Sequence, residues 1–194
     1  MSTELPNSVS TAPTTPETAT ATTTALLAAA LPAPTAPVGF EPHEMVTAES
    51  TRSARLKWVI IVDRGLPPGL AVNAAACIAA SVGSSVAGLI GPAGLDAEGS
   101  PHPGLPWAGC SVLGASPEEL LAVRAAAGLL LPPVDAGEGV YVTDMPLSAQ
   151  TNRVYDGYLA ELATTAAPDL ALSALSLIGP RKAIDKLTKR LTLL

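Results

Sequence analysis

From Lys57 onward, continuous apolar runs alternate with segments whose apolar residues recur every three or four positions. Val59 to Val62 is an unbroken β-branched run, which predicts a strand buried on both faces. Leu66-Pro67-Pro68-Gly69 then turns into an Ala-rich segment predicted to be helical to about Val82, with Pro68 suited to the first turn and Gly83 to the stop. Leu70, Ala74, Cys77, Ile78, Ser81 and Val82 form its expected inward stripe. Ser85 to Ile90 reads as a second strand, and the Gly/Pro-rich stretch from Gly91 to Trp107 as a surface loop or hairpin. Cys110 to Leu113 reads as a short strand. Ser116-Pro117-Glu118-Glu119 has the form of a capping box, opening a helix to about Ala127. Leu129 to Gly139 reads as an apolar connection and Val140 to Thr143 as another strand. Val154, Tyr155, Tyr158, Leu159 and Leu162 share one side of a following helix. Ala171 to Ile178 supplies the last strand before a Gly179-Pro180 stop. In the closing helix, Ile184, Leu187 and Leu191 are spaced to dock on a sheet. Strands alternating with helices predict an α/β domain: a layered mixed sheet with flanking helices.

Composition divides the chain. Residues 1–50 are mostly Thr, Ala, Pro and Glu, with no Lys or Arg. They offer too little bulky apolar surface to offset the entropy of ordering, so residues 1–52 are expected to be a disordered tail and residues 53–194 the domain. The tail carries five acids against a formal net charge of −6, which leaves the domain near neutral and makes the acidic balance a tail property. Ala25 to Pro32 is too short to span a bilayer and lacks a preceding basic region, so a cytoplasmic protein without membrane attachment is expected. Cys77 and Cys110 have no metal-site spacing and read as reduced packing residues.

Several ordered pieces carry a resemblance: Lys57-Trp58-Val59-Ile60-Ile61-Val62-Asp63 with its helix, Val142-Thr143-Asp144, and Gly179-Pro180 with its helix and final Leu193-Leu194. Together they resemble the class II peptidyl-tRNA hydrolase fold. More closely, they resemble an uncharacterised family of that fold, through Asp63-Arg64-x-Leu66-Pro67-x-Gly69, Asp96-Ala97-x-Gly99, His102-Pro103-Gly104, Gly179-Pro180-x-Lys182 and Lys186-Leu187-Thr188. The resemblance implies a hydrolase-like domain over Lys57 to Leu194. In it, Asn73 stands where those hydrolases carry an amide side chain, and Asp144 resembles their strand-end acid. Their helix Lys and His are missing here, so peptidyl-tRNA hydrolysis is not expected.

Three functions follow from the residues. The first is a binding module holding a small polar ligand in a strand-end crevice lined by Asp63, Arg64, Asn73 and Asp144, with Lys182 as a further contact. The second is an enzyme of unassigned reaction, in which Asp96 orients His102 as acid or base and Cys110 is a candidate nucleophile. In this reading His102 sits on a loop that folds over the crevice. The third is an RNA-linked protein whose Arg181, Lys182 and Lys186 meet phosphates; six aromatics in all make a base-stacking platform a poor fit. Against each stands a structural role: a turn for His102 and Asp96, an ion pair for Asp63 and Arg64, a satisfied amide for Asn73, an Asx turn for Asp144, and packing for Tyr155 and Tyr158. No P-loop, GxGxxG, GxSxG or HExxH occurs, and no cofactor or metal is called for. A small-molecule partner is expected, RNA is the weaker alternative, and a homodimer is left open.

Overall fold

The β-branched run becomes the centre of the sheet. In the computed structural model, which describes residues 38–129 and 139–194, strand β1 spans Leu56–Asp63 and is buried along nearly its whole length. It is joined by β4 (Cys110–Ala115), β5 (Tyr141–Pro146), β6 (Leu172–Pro180) and the short β7 (Thr192–Leu193), in the order β5-β6-β1-β4-β7. β4 runs parallel to β1, whereas β6 runs antiparallel to both β1 and β5, and β7 antiparallel to β4. The fold is therefore α/β with a five-stranded mixed sheet. A two-stranded hairpin, β2 (Gly94–Leu95) and β3 (Pro101–His102), stands apart from it.

Alternation along β1 builds two cores. Trp58, Ile60 and Val62 point to the face covered by helix α1 (Pro68–Ser85), where Ala71, Ala74, Ile78 and Val82 meet them. Val59 and Ile61 point to the other face, with Leu120 and Val123 of α2 (Pro117–Gly128) and Ile184 of α5 (Arg181–Thr188). Beyond β5 lie a single turn, α3 (Ser148–Thr151), and the peripheral α4 (Tyr155–Thr164). Helix α1 is long and apolar enough by length and composition to cross a membrane, but here it is the crossover between β1 and β4 and packs on the sheet.

Several elements differ from the pattern-based expectation. Helix α1 continues through Gly83 to Ser85, and its buried stripe is Ala71, Ala74, Ile78 and Val82, leaving Leu70 and Cys77 exposed. The expected strand at Ser85 to Ile90 does not form. Gly88 takes a φ of +68°, which breaks the extended run, while Val86 and Leu89 drop into the core. No residue of α4 is buried: Val154, Tyr155 and Leu159 face outward, and Tyr155 and Tyr158 pack edge-on against each other. Both cysteines are exposed rather than enclosed in the core.

The expected tail boundary at residue 52 also falls inside the packed region. Val38 and Phe40 are buried, and Phe40 packs against Trp107 in a tilted arrangement with ring centroids 4.9 Å apart. The Phe40 amide donates to the Ala87 carbonyl at 2.9 Å. Arg55 grips Glu44 through two nitrogens, at 2.5 and 3.0 Å, and also donates to the Gly39 carbonyl. Composition hid this segment because two well-placed apolar side chains and one bidentate ion pair suffice to fasten it. Residues 38–55 form a strap across the domain. Residues 1–37 of the expected tail, and most of the Leu129 to Gly139 connection, lie outside the described residues.

Candidate functional site

The parallel strands β1 and β4, with β5 running in the same direction, end together at one edge of the sheet, where ligand crevices of α/β sheets usually lie. The expected residues do not converge there. Asp63 accepts a hydrogen bond from the Gly65 amide at 2.9 Å, closing a turn. Arg64 donates to the Gly114 carbonyl and, at 3.3 Å, to Glu119. Asp144 shares the α2 face with Val142 and is held by the Arg124 guanidinium. Asn73 lies across the sheet on α1, accepting from the Gln150 side chain at 3.1 Å. Asn73 and Asp144 thus occupy opposite faces, because alternation along β5 sends Asp144 away from α1.

Gln150 is the polar residue at this edge that the sequence reading missed. Its amide nitrogen also donates to the Leu70 carbonyl at 2.9 Å, and its oxygen accepts from the buried Ser173 at 2.7 Å. These bonds pin α3 to α1 and to the start of β6. No motif surrounds Gln150 in the sequence; only the fold brings its partners to it.

His102 lies in the β2–β3 hairpin with its side chain two-thirds exposed, 3.5 Å from Asp96. Asp96 is the hairpin's own keystone: one carboxylate oxygen accepts from the amides of Glu98 and Ser100. The Ser100 amide is the main reason its pKa is lowered. The pair expected for catalysis lies in an exposed hairpin turn. The excursion carrying it leaves after the C-terminus of α1 and returns at the start of β4, the end of the sheet opposite Asp63, so it does not cover the expected crevice.

At that opposite end the structure has a recess of about 450 Å³. It is lined by Thr51 and Arg52 of the strap, Leu56 and Lys57 at the start of β1, Gly109, Cys110 and Ser111 at the start of β4, and Arg181 at the start of α5. Three cationic residues and two hydroxyl-bearing residues, Thr51 and Ser111, are among its lining. Lys57 is paired with Asp185 at 2.6 Å. Arg181 donates to the carbonyls of Arg52 and Ala54 at 2.5 and 3.0 Å, and no carboxylate pairs with Arg52 or Arg181 among the described residues. Lys182 is exposed in the first turn of α5 and does not line the recess. Cys110 keeps contact with solvent, yet the protein crowding its other sides pushes its thiol up to about 12. Among the described residues, no three His, Cys, Asp or Glu side chains cluster as metal ligands would. A second, apolar groove lies between α2 and α5, along Val123, Leu129 and Leu187.

Of these recess residues, Cys110 and Arg181 were marked in the sequence, the latter within a basic helix. Thr51 and Arg52 were not, because they belong to the segment whose composition read as tail.

The sequence profile of a family described as protein of unknown function, DUF2000, matches residues 56–194. The chain belongs to the DUF2000 family. The DUF2000 region begins at the first strand, so the strap lies just before it. The domain is similar to a solved structure of a protein of unknown function from Agrobacterium tumefaciens strain C58, at 17% identity with a TM-score of 0.60. That similarity covers 72% of this chain and 98% of the other. At such identity it shows a shared fold alone. A comparison with curated proteins finds no match.

Proposed function

We propose that this DUF2000 chain is a binding module for a small anion, seated in the recess where β1, β4 and α5 begin. The carrying observation is that Arg52, Lys57 and Arg181 line one recess together with Thr51 and Ser111. Guanidinium groups offer planar, paired donors that match carboxylate and phosphate oxygens. The volume is within the range of small-molecule sites. A binding role is favoured over catalysis because the thiol in the recess is held protonated near neutral pH, and thiolate is the nucleophilic form.

The peptidyl-tRNA hydrolase II-like fold belongs to the same proposal. The supporting features are strand one with its helix, the acid at Asp144 and the closing Gly-Pro helix. In this reading the chain has no peptidyl-tRNA hydrolase activity. Asn73 and Asp144 are engaged by Gln150 and Arg124, and the family's helix Lys and His have no counterpart in α1.

Titration of the full chain with inorganic phosphate, followed by amide chemical shifts against chloride at matched ionic strength, tests the binding role. Saturable shifts at Lys57, Gly109, Cys110, Ser111 and Arg181 are expected. No saturable change up to about 10 mM, a level that reports even a millimolar site, would remove the proposal.

A further inference from the structure

The strap brings one of the recess's unpaired charges. Lys57 is offset by Asp185, so the β1, β4 and α5 walls together contribute one uncompensated positive charge, that of Arg181. Arg52 supplies the second, from a segment that precedes the family-matched region. Its position is fixed by the surrounding backbone. The Gly109 amide donates to the Thr51 carbonyl at 3.1 Å, and Arg181 holds the carbonyls on either side of Ser53. Further along, Arg55 with Glu44, and Phe40 with Trp107, fasten the strap to the domain. Gly88 admits this arrangement, since a Cβ there would lie 2.5 Å from the Phe40 carbonyl oxygen.

We infer that Arg52 is a specificity-determining ligand contact, and that the recess selects a doubly charged phosphate monoester over a singly charged carboxylate. The inference rests on the anion-binding reading of the recess. Two guanidinium groups that pair with no carboxylate among the described residues match the charge of a monoester dianion, while a carboxylate satisfies only one of them. The hydroxyls of Thr51 and Ser111 can donate to the additional phosphate oxygens. The monoester could be carried by a free metabolite or by the end of a nucleic acid strand; the recognised chemistry is the same.

Calorimetric titration of the full chain at pH 8 with phenyl phosphate and with benzoate separates the possibilities, since the monoester is a dianion there and benzoate a monoanion. Phenyl phosphate is expected to bind about tenfold or more tightly than benzoate, the scale of one charge-assisted contact. Arg52→Gln should abolish that preference by weakening phenyl phosphate about tenfold and benzoate by less, and Arg52→Lys, which keeps the charge but not the planar paired donors, should restore part of it. Unchanged preference in Arg52→Gln, with binding still mapped to the recess, overturns the role of Arg52 and leaves the recess reading standing. Failure of both probes to bind the wild-type chain overturns the recess reading itself. A 5′-phosphorylated dinucleotide binding as phenyl phosphate does, but losing affinity without its phosphate, would support a terminal phosphate as the source; equal affinity without it would overturn the phosphate specificity.

Discussion

Cys110 shows how one residue's surroundings decide its chemistry. It opens β4 opposite Trp58, on the wall of the recess, so its exposure alone would mark it as reactive. Crowding by neighbouring protein disfavours the charged thiolate and raises the pKa to about 12. At pH 8 the thiolate fraction is then on the order of one in 10⁴. Iodoacetamide labelling with peptide mapping should find Cys110 slow at pH 8, with a rate that keeps climbing above pH 10. A rate that levels off below pH 9 would mean the thiol is not desolvated, and would reopen the nucleophile reading. The sequence marked this cysteine but not its environment, because only the fold sets it beside β1 and next to the strap contact at Gly109. His102 is the reverse case. Its partner Asp96 was a candidate that spacing could not decide, and in the structure Asp96 also accepts from the amides of Glu98 and Ser100, which places the pair in a hairpin closure.

Among the helices, the one opened by a polar signal was read well, and the inward face of the uncharged one was not. The box at Ser116 forms as its residues dictate: the Ser116 hydroxyl accepts from the Glu119 amide, and the Glu119 carboxylate accepts from the Ser116 amide at 2.8 Å. Ser116→Ala should therefore cost about 1 kcal/mol in urea unfolding with an unchanged m-value. A cost near zero would mean that Pro117 and Glu118 fix this helix start without the hydroxyl. Helix α1 gave no such marker. It holds no charged residue, so every side of it looks apolar, and a stripe rotated toward Leu70, Cys77 and Ser81 fits the spacing as well as the real one. Helix α4 does carry charges, Asp156 and Glu161, yet Val154, Tyr155 and Leu159 of its apolar side are exposed, while Leu162 packs partly against the core. For the site, the basic start of α5 was legible and Arg181 with it. The recess was not, since it needs the beginnings of β1 and β4 to lie side by side with a strap across them.

At the scale of the whole molecule, the strap joins the segment before the DUF2000 region to the recess, and its latch is electrostatic at one point. Hydrogen bonds from the Arg55 side chain, aided by the Glu41 amide, hold the Glu44 carboxyl at about 2 against an ordinary value of 4.5. A carboxyl with a lowered folded-state pKa contributes stability that is fully present above its unfolded value. It loses that contribution as pH falls through the folded one. The latch should therefore be intact from neutral pH down to about 4.5 and fail progressively toward pH 2. Arg55 is half exposed, so the contribution is modest and weakens with salt. Comparison of wild type with Glu44→Gln by denaturant unfolding tests this directly. The variant should be less stable at pH 7, and the gap should close between pH 4.5 and 2. The protection of the Phe40 amide relative to its intrinsic exchange rate, conferred by its bond to Ala87, should fall in the variant at pH 7 and in wild type only on acidification. A stability gap that does not change with pH would show that Glu44 acts through packing rather than charge. Phosphate affinity measured across the same variants would then reveal whether the latch also sets the position of Arg52. A weaker Glu44→Gln complex at pH 7 is the result expected if strap and site are one device.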